Sequence, residues 1–165
     1  MDNFHTTTQM DDIIHDIMYQ IMQKAHRGQY RNDGVTPYDV HPQELADMFY
    51  DTIDQAVALG HDVIEDGKKN GVTEAYIRDR YLKASKQLHY EAEQTYFMGV
   101  ADRLVDSIVN LTHLRHISYD SYIAGIYKAN IKYKIMDIYI NSTDKPKPHQ
   151  LIKYQKALKN LASRI

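Results

Sequence analysis

Apolar residues recur at intervals of three and four along most of this 165-residue chain, from a stripe at 13–22 to another at 151–161. Each helical residue turns the chain by about 100°, so this spacing gathers apolar side chains on one face of a helix. Alternation with period two, which would indicate strands, does not run over any useful length. The pattern predicts an all-α fold, with a single helical bundle over residues 1–165.

Segments between the stripes contain residues that end helices. Residues 32–42 include one glycine and two prolines and are predicted to form a loop. Pro42 suits the first turn of the next helix, which places His41 near the N-cap of that helix. The apolar stripe at 45–59 is expected to be interrupted near Asp51. The polar, Tyr-rich segment 67–100 is expected to form a loop followed by helices.

The composition excludes several classes of partner and site. A formal net charge of −2 gives no basic excess, so no nucleic-acid partner is expected. The chain has no cysteine, so a transition metal would be held by His, Asp or Glu. The N-terminal sequence MDNFHTTTQM lacks the features of a signal peptide, and no apolar run reaches the roughly 18 residues of a membrane span. These features predict a cytoplasmic protein without a membrane partner.

A dense group of ionisable side chains lies in the sequence GHDVIED, residues 60–66. On a helix, Asp62, Glu65 and Asp66 would lie about 100°, 40° and 140° around the axis from His61. Acidic runs usually form the solvated face of a helix. Here the preceding sequence TIDQAVAL is typical of a core helix, and three carboxylates this close repel one another unless a cation compensates them. The alternatives are therefore a polar helix face and a metal-centred active site.

Three residues elsewhere in the chain favour the metal site. Asp137 and Asn141 are four residues apart, which puts them on the same face of a helix. An Asp within an apolar element needs a partner, although a capping or core hydrogen bond would also provide one. His41 precedes a proline, a position that is more typical of a cap or turn residue when it is considered alone.

The candidate metal ligands are two imidazoles and two carboxylates, from His41, His61, Asp62 and Asp137. Such a set suits Mn²⁺, Fe²⁺ or Zn²⁺. Glu65 and Asp66 would then lie beside the metal and handle a water molecule.

These residues fall within several ordered motifs. AHRGQYRNDGVTPYDVHP (25–42) and ALGHDVIED (58–66) are similar to the two opening motifs of the HD-domain hydrolases of the RelA/SpoT type. VADRLVDSIVNLTHL (100–114) and SYDSYIAGIYKANIKYKIMDIYIN (118–141) are similar to later segments of that family, and LIKYQKAL to its closing helix. The chain therefore resembles this family, in particular the small stand-alone (p)ppGpp hydrolases, over roughly residues 10 to 160.

The resemblance implies an HD-domain helical bundle with a bound Mn²⁺ and a guanine nucleotide as substrate. The positions that match the family's metal ligands are His41, His61, Asp62 and Asp137. Glu65 and Asp66 match its hydrolytic pair. The positions that match its nucleotide-binding residues are Arg31 near the base, Asn141 near the sugar, Lys134 and, in the nucleotide cleft, Tyr154.

The implied reaction is hydrolysis of (p)ppGpp at the 3′ position, to GDP or GTP and pyrophosphate. The chain departs from the family where Gly60 replaces an apolar residue, where Ser142 and Thr143 follow Asn141, and along 67–100. These departures keep an alternative open, an HD phosphohydrolase of another nucleotide such as a nucleoside phosphate or NADPH. A further alternative is a nucleotide-binding HD module without turnover, although the presence of both Glu65 and Asp66 argues against it.

Overall fold

The computed structural model describes residues 4–47 and 49–115. Those residues form six α-helices: α1 (Thr7–Ala25), α2 (Val40–Ala46), α3 (Thr52–Gly60), α4 (Val63–Asp66), α5 (Glu74–Ser85) and α6 (Glu91–Arg115). A 3₁₀ turn (Lys68–Asn70) lies between α4 and α5. In this part of the chain no strand forms, and Tyr30 and Pro37 make an isolated bridge within a loop. The predicted all-α fold is confirmed for the described residues.

The first predicted stripe forms the core face of α1. Thr6 begins this helix with a capping box, in which its hydroxyl accepts from the Gln9 N–H and the Gln9 side-chain carbonyl accepts from the Thr6 N–H. The buried residues of the helix are Met10, Ile14, Ile17, Met18, Ile21, Met22 and Ala25. Full burial of each large apolar side chain stabilises the fold by about 1.5–3 kcal/mol. That face packs against α3, α5 and α6.

The predicted loop before α2 ends earlier than its glycine and prolines indicate. α2 begins at Val40, so the loop stops at Asp39 rather than at residue 42. Pro42 lies in the first turn as predicted, where the N–H that it lacks has no intrahelical partner. His41 is the second helical residue, close to Asp39 at the N-cap position. His41 therefore lies on regular α-helical backbone.

Helix α3, which leads into the sequence GHDVIED (60–66), lies at the centre of the core. Asp51 caps α3 by accepting from the N–H of Asp54 (2.9 Å), which confirms the predicted interruption near Asp51. α3 packs against α1, α2 and α6. Its buried residues are Asp54, Ala56, Val57, Ala58, Leu59 and Gly60.

Gly60 lies where α3 passes close to α1 and α6. A Cβ atom at this position would be 2.4 Å from Cδ1 of Ile108 and 2.8 Å from Sδ of Met18. Interiors are already close-packed, so a larger residue would have to push these side chains apart. The close approach explains why the chain has glycine, and not an apolar side chain, directly before His61.

The segment 67–100 contains the 3₁₀ turn, α5 and the first part of α6, as predicted. Tyr81 of α5 is buried, and its hydroxyl donates to the Ile14 carbonyl of α1 (2.9 Å). Arg78 joins α5 to α6 through Asp106 (2.8 Å) and Asp102 (3.6 Å). No helix in the described part combines the length and apolar composition that crossing a membrane requires.

Candidate metal centre

Three of the four predicted metal ligands meet where α2 lies beside the junction of α3 and α4. One potential ligand atom from each of His41, His61 and Asp62 lies within 4.8 Å of the others. His61 and Asp62 are only 5% and 2% exposed, and His41 is half-buried. The fourth predicted ligand, Asp137, lies outside the described residues. Two motifs that are distant in sequence are thus brought together, as the metal hypothesis requires.

The residues of GHDVIED that follow Gly60 do not continue α3 as one helix. This finding corrects the interpretation that His61, Asp62, Glu65 and Asp66 share a single helix. α3 ends at Gly60, His61 and Asp62 form a turn, and α4 covers Val63–Asp66. At Asp62 the backbone has φ −113° and ψ −1°, which departs from the regular helical path. The angles around a single helix axis therefore do not apply across this turn. The turn is what brings both the His61 and Asp62 side chains near His41.

Hydrogen bonding determines which nitrogen of His61 is available to a ligand. Nδ1 lies 2.6 Å from the carbonyl oxygen of Ala58. Because a carbonyl oxygen only accepts, Nδ1 carries a proton, and Nε2 keeps a lone pair when the ring is neutral. Nε2 is 3.0 Å from Oδ2 of Asp62. Two lone-pair atoms at this distance repel in a buried site unless a cation, either a proton or a metal ion, interacts with both.

The chemistry of this donor set fits a divalent metal ion. Imidazole and carboxylate ligands together suit first-row transition metals. The Nδ1–H of His61 on a backbone carbonyl is the arrangement usual for a metal-binding histidine, because it fixes the tautomer and the ring orientation. The rings of His41 and His61 have centroids 5.3 Å apart with planes at 74°. Because the two rings are not stacked, they do not close the site. His41, His61 and Asp62 could therefore hold a metal ion.

Sequence reasoning missed Tyr38, in the loop before α2. Its hydroxyl donates to Oδ2 of Asp62 at 2.6 Å, so Tyr38 and His61 contact the same carboxylate oxygen. Tyr38 is three residues before His41 in the same motif. That proximity to a predicted ligand was the available signal, but a loop tyrosine has no periodicity that indicates a carboxylate 24 residues later.

Sequence reasoning also missed a buried histidine beside Tyr38. His26 follows α1, is 3% exposed, and its ring centroid lies 4.6 Å from that of Tyr38. Nδ1 of His26 is 3.0 Å from Oε1 of Gln29. The amide nitrogen of Gln29 donates to the carbonyls of Ala25 (3.1 Å) and Asp66 (2.6 Å), so Oε1 is the acceptor for His26. Burial lowers the pKa of His26 and favours its neutral form.

Three of the remaining predicted site residues lie within the described part of the chain, and three lie outside it. Glu65 and Asp66 are half-buried in α4, immediately after the His61–Asp62 turn. Arg31 is exposed in the loop between α1 and α2. The other predicted nucleotide-binding residues, Lys134, Asn141 and Tyr154, lie outside the described residues.

The loop that carries Arg31 is held by its own hydrogen bonds. The Asp33 carboxylate accepts from the Thr36 hydroxyl (2.5 Å) and from the N–H groups of Thr36 and Val35 (2.9 Å each). These bonds, the one from the Thr36 hydroxyl first, lower the pKa of Asp33 to about 2. The Arg31 N–H donates to the Thr36 carbonyl (2.9 Å). The backbone of Arg31 is therefore fixed although its side chain is exposed.

In comparisons with known proteins, no family model, no curated protein and no solved structure matches the chain.

Proposed function

We propose that this chain is a metal-dependent phosphohydrolase of the HD type that hydrolyses (p)ppGpp to GDP or GTP and pyrophosphate. The observation that carries the proposal is that buried His61 and Asp62 meet half-buried His41, with Glu65 and Asp66 in the helix that follows. The resemblance of the ordered motifs to small stand-alone (p)ppGpp hydrolases supports the choice of substrate. Mn²⁺ is the proposed ion, with Asp137 as its fourth protein ligand.

The ion would be held by the imidazoles of His41 and His61 and by the Asp62 carboxylate. When bound, a divalent ion supplies Lewis acidity, which makes water acidic enough to attack near neutral pH and offsets charge on phosphoryl oxygens. The Tyr38 hydroxyl and the Ala58 carbonyl orient Asp62 and His61, respectively. These contacts are made within the protein, so the ligands do not have to reorganise when the substrate arrives.

Glu65 and Asp66 are proposed to position the attacking water and to move protons. Both are half-buried and lie within four residues of Asp62. In the reaction, the water oxygen forms a bond to the phosphorus next to the 3′ oxygen, and the bond between that phosphorus and the 3′ oxygen breaks. One of the two carboxylates takes a proton from the water and passes it to the 3′ oxygen, which leaves as a hydroxyl.

Basic residues that follow α4 or lie at the end of α1 are proposed to offset the charge of the diphosphate groups. Lys68 and Lys69 are exposed on the 3₁₀ turn after α4, and Arg27 is exposed at the end of α1. Asn70 donates to the backbone carbonyls of Ala25 (3.0 Å) and Arg27 (3.1 Å), which brings that turn against the end of α1. Three cationic side chains therefore emerge from adjoining backbone.

The proposed nucleotide contacts come from Arg31 and from three residues more than 100 positions later in the chain. The Arg31 guanidinium would stack on the guanine base or contact phosphate, since it is planar and always charged. Lys134, Asn141 and Tyr154 are assigned to the nucleotide by the family resemblance.

The experiment that tests the function is pyrophosphate release from ppGpp by the purified protein, with Mn²⁺ and with a chelator. NADPH and a panel of nucleoside phosphates are assayed in parallel, with Asp62→Asn as the inactive control. Mn²⁺-dependent release of pyrophosphate from ppGpp is expected. Turnover of another compound instead would keep the hydrolytic site and change the substrate. Metal binding without turnover of any compound would favour the binding module and refute the enzyme.

A further inference from the structure

The hydrogen bond between Tyr38 and Asp62 has features of a contact that sets the orientation of a ligand. Its Oη–Oδ2 distance of 2.6 Å is in the range of charge-assisted O–H···O⁻ bonds, which are about twice as strong as neutral ones. Asp62 is 2% exposed, so bulk water has little access to compete for this oxygen. The bond therefore restricts the rotation of a carboxylate at the centre of the candidate site.

Tyr38 is held in place from two directions. Its backbone N–H donates to the Gln29 carbonyl (2.9 Å), and its carbonyl accepts from the His41 N–H (3.1 Å). Its ring lies against the ring of His26, with planes at 44°. His26 is in turn hydrogen-bonded to the Gln29 side chain (3.0 Å). The hydroxyl is thus presented to Asp62 by a ring whose backbone and face are both fixed.

We infer that Tyr38 is a positioning residue for Asp62. Its hydroxyl keeps one oxygen of the Asp62 carboxylate oriented toward the place where His41, His61 and Asp62 could hold a metal ion. This inference rests on the proposed function, because it requires a divalent ion on Asp62. Hydrogen bonds to metal-binding side chains typically change metal affinity by roughly 10- to 100-fold when they are removed. Tyr38 does not need to touch the ion or the substrate to have this effect.

The test compares Tyr38→Phe with a matched variant, Tyr96→Phe. Tyr96 also donates its hydroxyl to an aspartate, with Oη 2.9 Å from Oδ1 of Asp11. That pair joins α6 to α1, and neither residue belongs to the group of His41, His61 and Asp62. Mn²⁺ affinity is measured by isothermal titration calorimetry, and ligand geometry by the visible absorption spectrum of the Co²⁺-loaded protein. Tyr38→Phe is expected to weaken Mn²⁺ binding by roughly 10- to 100-fold and to change the Co²⁺ spectrum. Tyr96→Phe is expected to change neither.

Failure of this inference can be told apart from failure of the proposed function. Wild-type affinity and an unchanged Co²⁺ spectrum in Tyr38→Phe would overturn the role of Tyr38 and leave the metal site intact. A wild-type protein that binds no divalent metal would overturn both proposals. A wild-type protein that binds Mn²⁺ but does not hydrolyse ppGpp would overturn the substrate alone, and the Tyr38 comparison would still decide the inference.

A second measurement applies if circular dichroism shows that Tyr38→Phe does not fold. 3-Fluorotyrosine incorporated at position 38 keeps the hydroxyl, and its ¹⁹F resonance is followed during titration with Zn²⁺. A saturable shift that is complete at one equivalent is expected, because an ion on Asp62 changes the charge of the oxygen that accepts from position 38. A resonance that does not move while Zn²⁺ binds would overturn the inference.

Discussion

Nε2 of His61 and Oδ2 of Asp62 lie 3.0 Å apart, and both side chains are almost completely buried. Nδ1 of the same ring donates to the Ala58 carbonyl, so the proton on Nδ1 cannot relieve the repulsion on the opposite side. A proton between Nε2 and Oδ2 would stabilise this contact without a metal, and a metal ion that interacts with both atoms would stabilise it equally well. A proton and a metal ion would therefore compete for the same two atoms.

Metal affinity should consequently depend on pH. Because a ligand must lose its proton before it binds a metal ion, Mn²⁺ binding is expected to strengthen as the pH rises and to release protons. Calorimetric titrations between pH 5.5 and 8, in buffers with different ionisation enthalpies, give both the affinity and the number of protons released. Binding that is independent of pH and releases no proton would contradict this account.

Glu65→Gln separates the proposed proton transfer from metal binding. The amide has nearly the shape of the carboxylate but cannot take a proton, and Glu65 is outside the three-ligand group. Mn²⁺ affinity is expected to stay close to that of the wild type, while kcat falls by about 10²- to 10⁴-fold. Asp62→Asn is the contrasting variant, in which metal binding itself should be lost. An unchanged kcat in Glu65→Gln would exclude Glu65 from the mechanism.

Gly60→Ala should destabilise the fold through packing, because its Cβ would lie 2.4 Å from Cδ1 of Ile108. Overpacking of this kind typically costs about 1–3 kcal/mol. Gly99 in α6 is the matched control, since a Cβ there would meet only the Arg103 guanidinium, at 3.8 Å. Gly99→Ala should stabilise the protein by about 0.5–1 kcal/mol, as expected for an unhindered helical position. Urea denaturation of both variants gives the two free energies, and equal changes of the same sign would refute the packing argument.

Local patterns in the sequence account for much of the described fold. The spacing of Ile14, Ile17, Met18 and Ile21 predicted the buried face of α1, and those side chains are buried. The interruption near Asp51 was predicted as well. These features depend on residues within one or two helical turns of each other. A periodic pattern can therefore reveal them without knowledge of the tertiary structure.

The candidate site was predicted in part, for a physical reason that differs from residue to residue. The ionisable side chains of His61 and Asp62 indicated a ligand pair, but the turn that presents them was missed because local spacing fits an uninterrupted helix. Tyr38 was missed because its hydrogen bond to Asp62 spans 24 residues. The steric contact of Gly60 with Ile108 also joins distant segments. Contacts of this kind depend on how helices pack, and packing is not encoded in the spacing of one segment.

His26 should make the stability of the metal-free protein depend on pH. Burial lowers the pKa of His26 below its ordinary value of 6.5, so between those two values the unfolded chain binds more protons than the folded one. This contribution to stability is fully present above about pH 6.5 and is lost as the pH falls toward the lowered folded pKa. The free energy of unfolding is measured by urea titration with a chelator, for the wild type and His26→Gln, from pH 7.5 to 5. The wild type should lose more stability than the variant over this range, since the other titrating groups are common to both. Parallel curves would show that His26 does not contribute to the acid sensitivity of the fold.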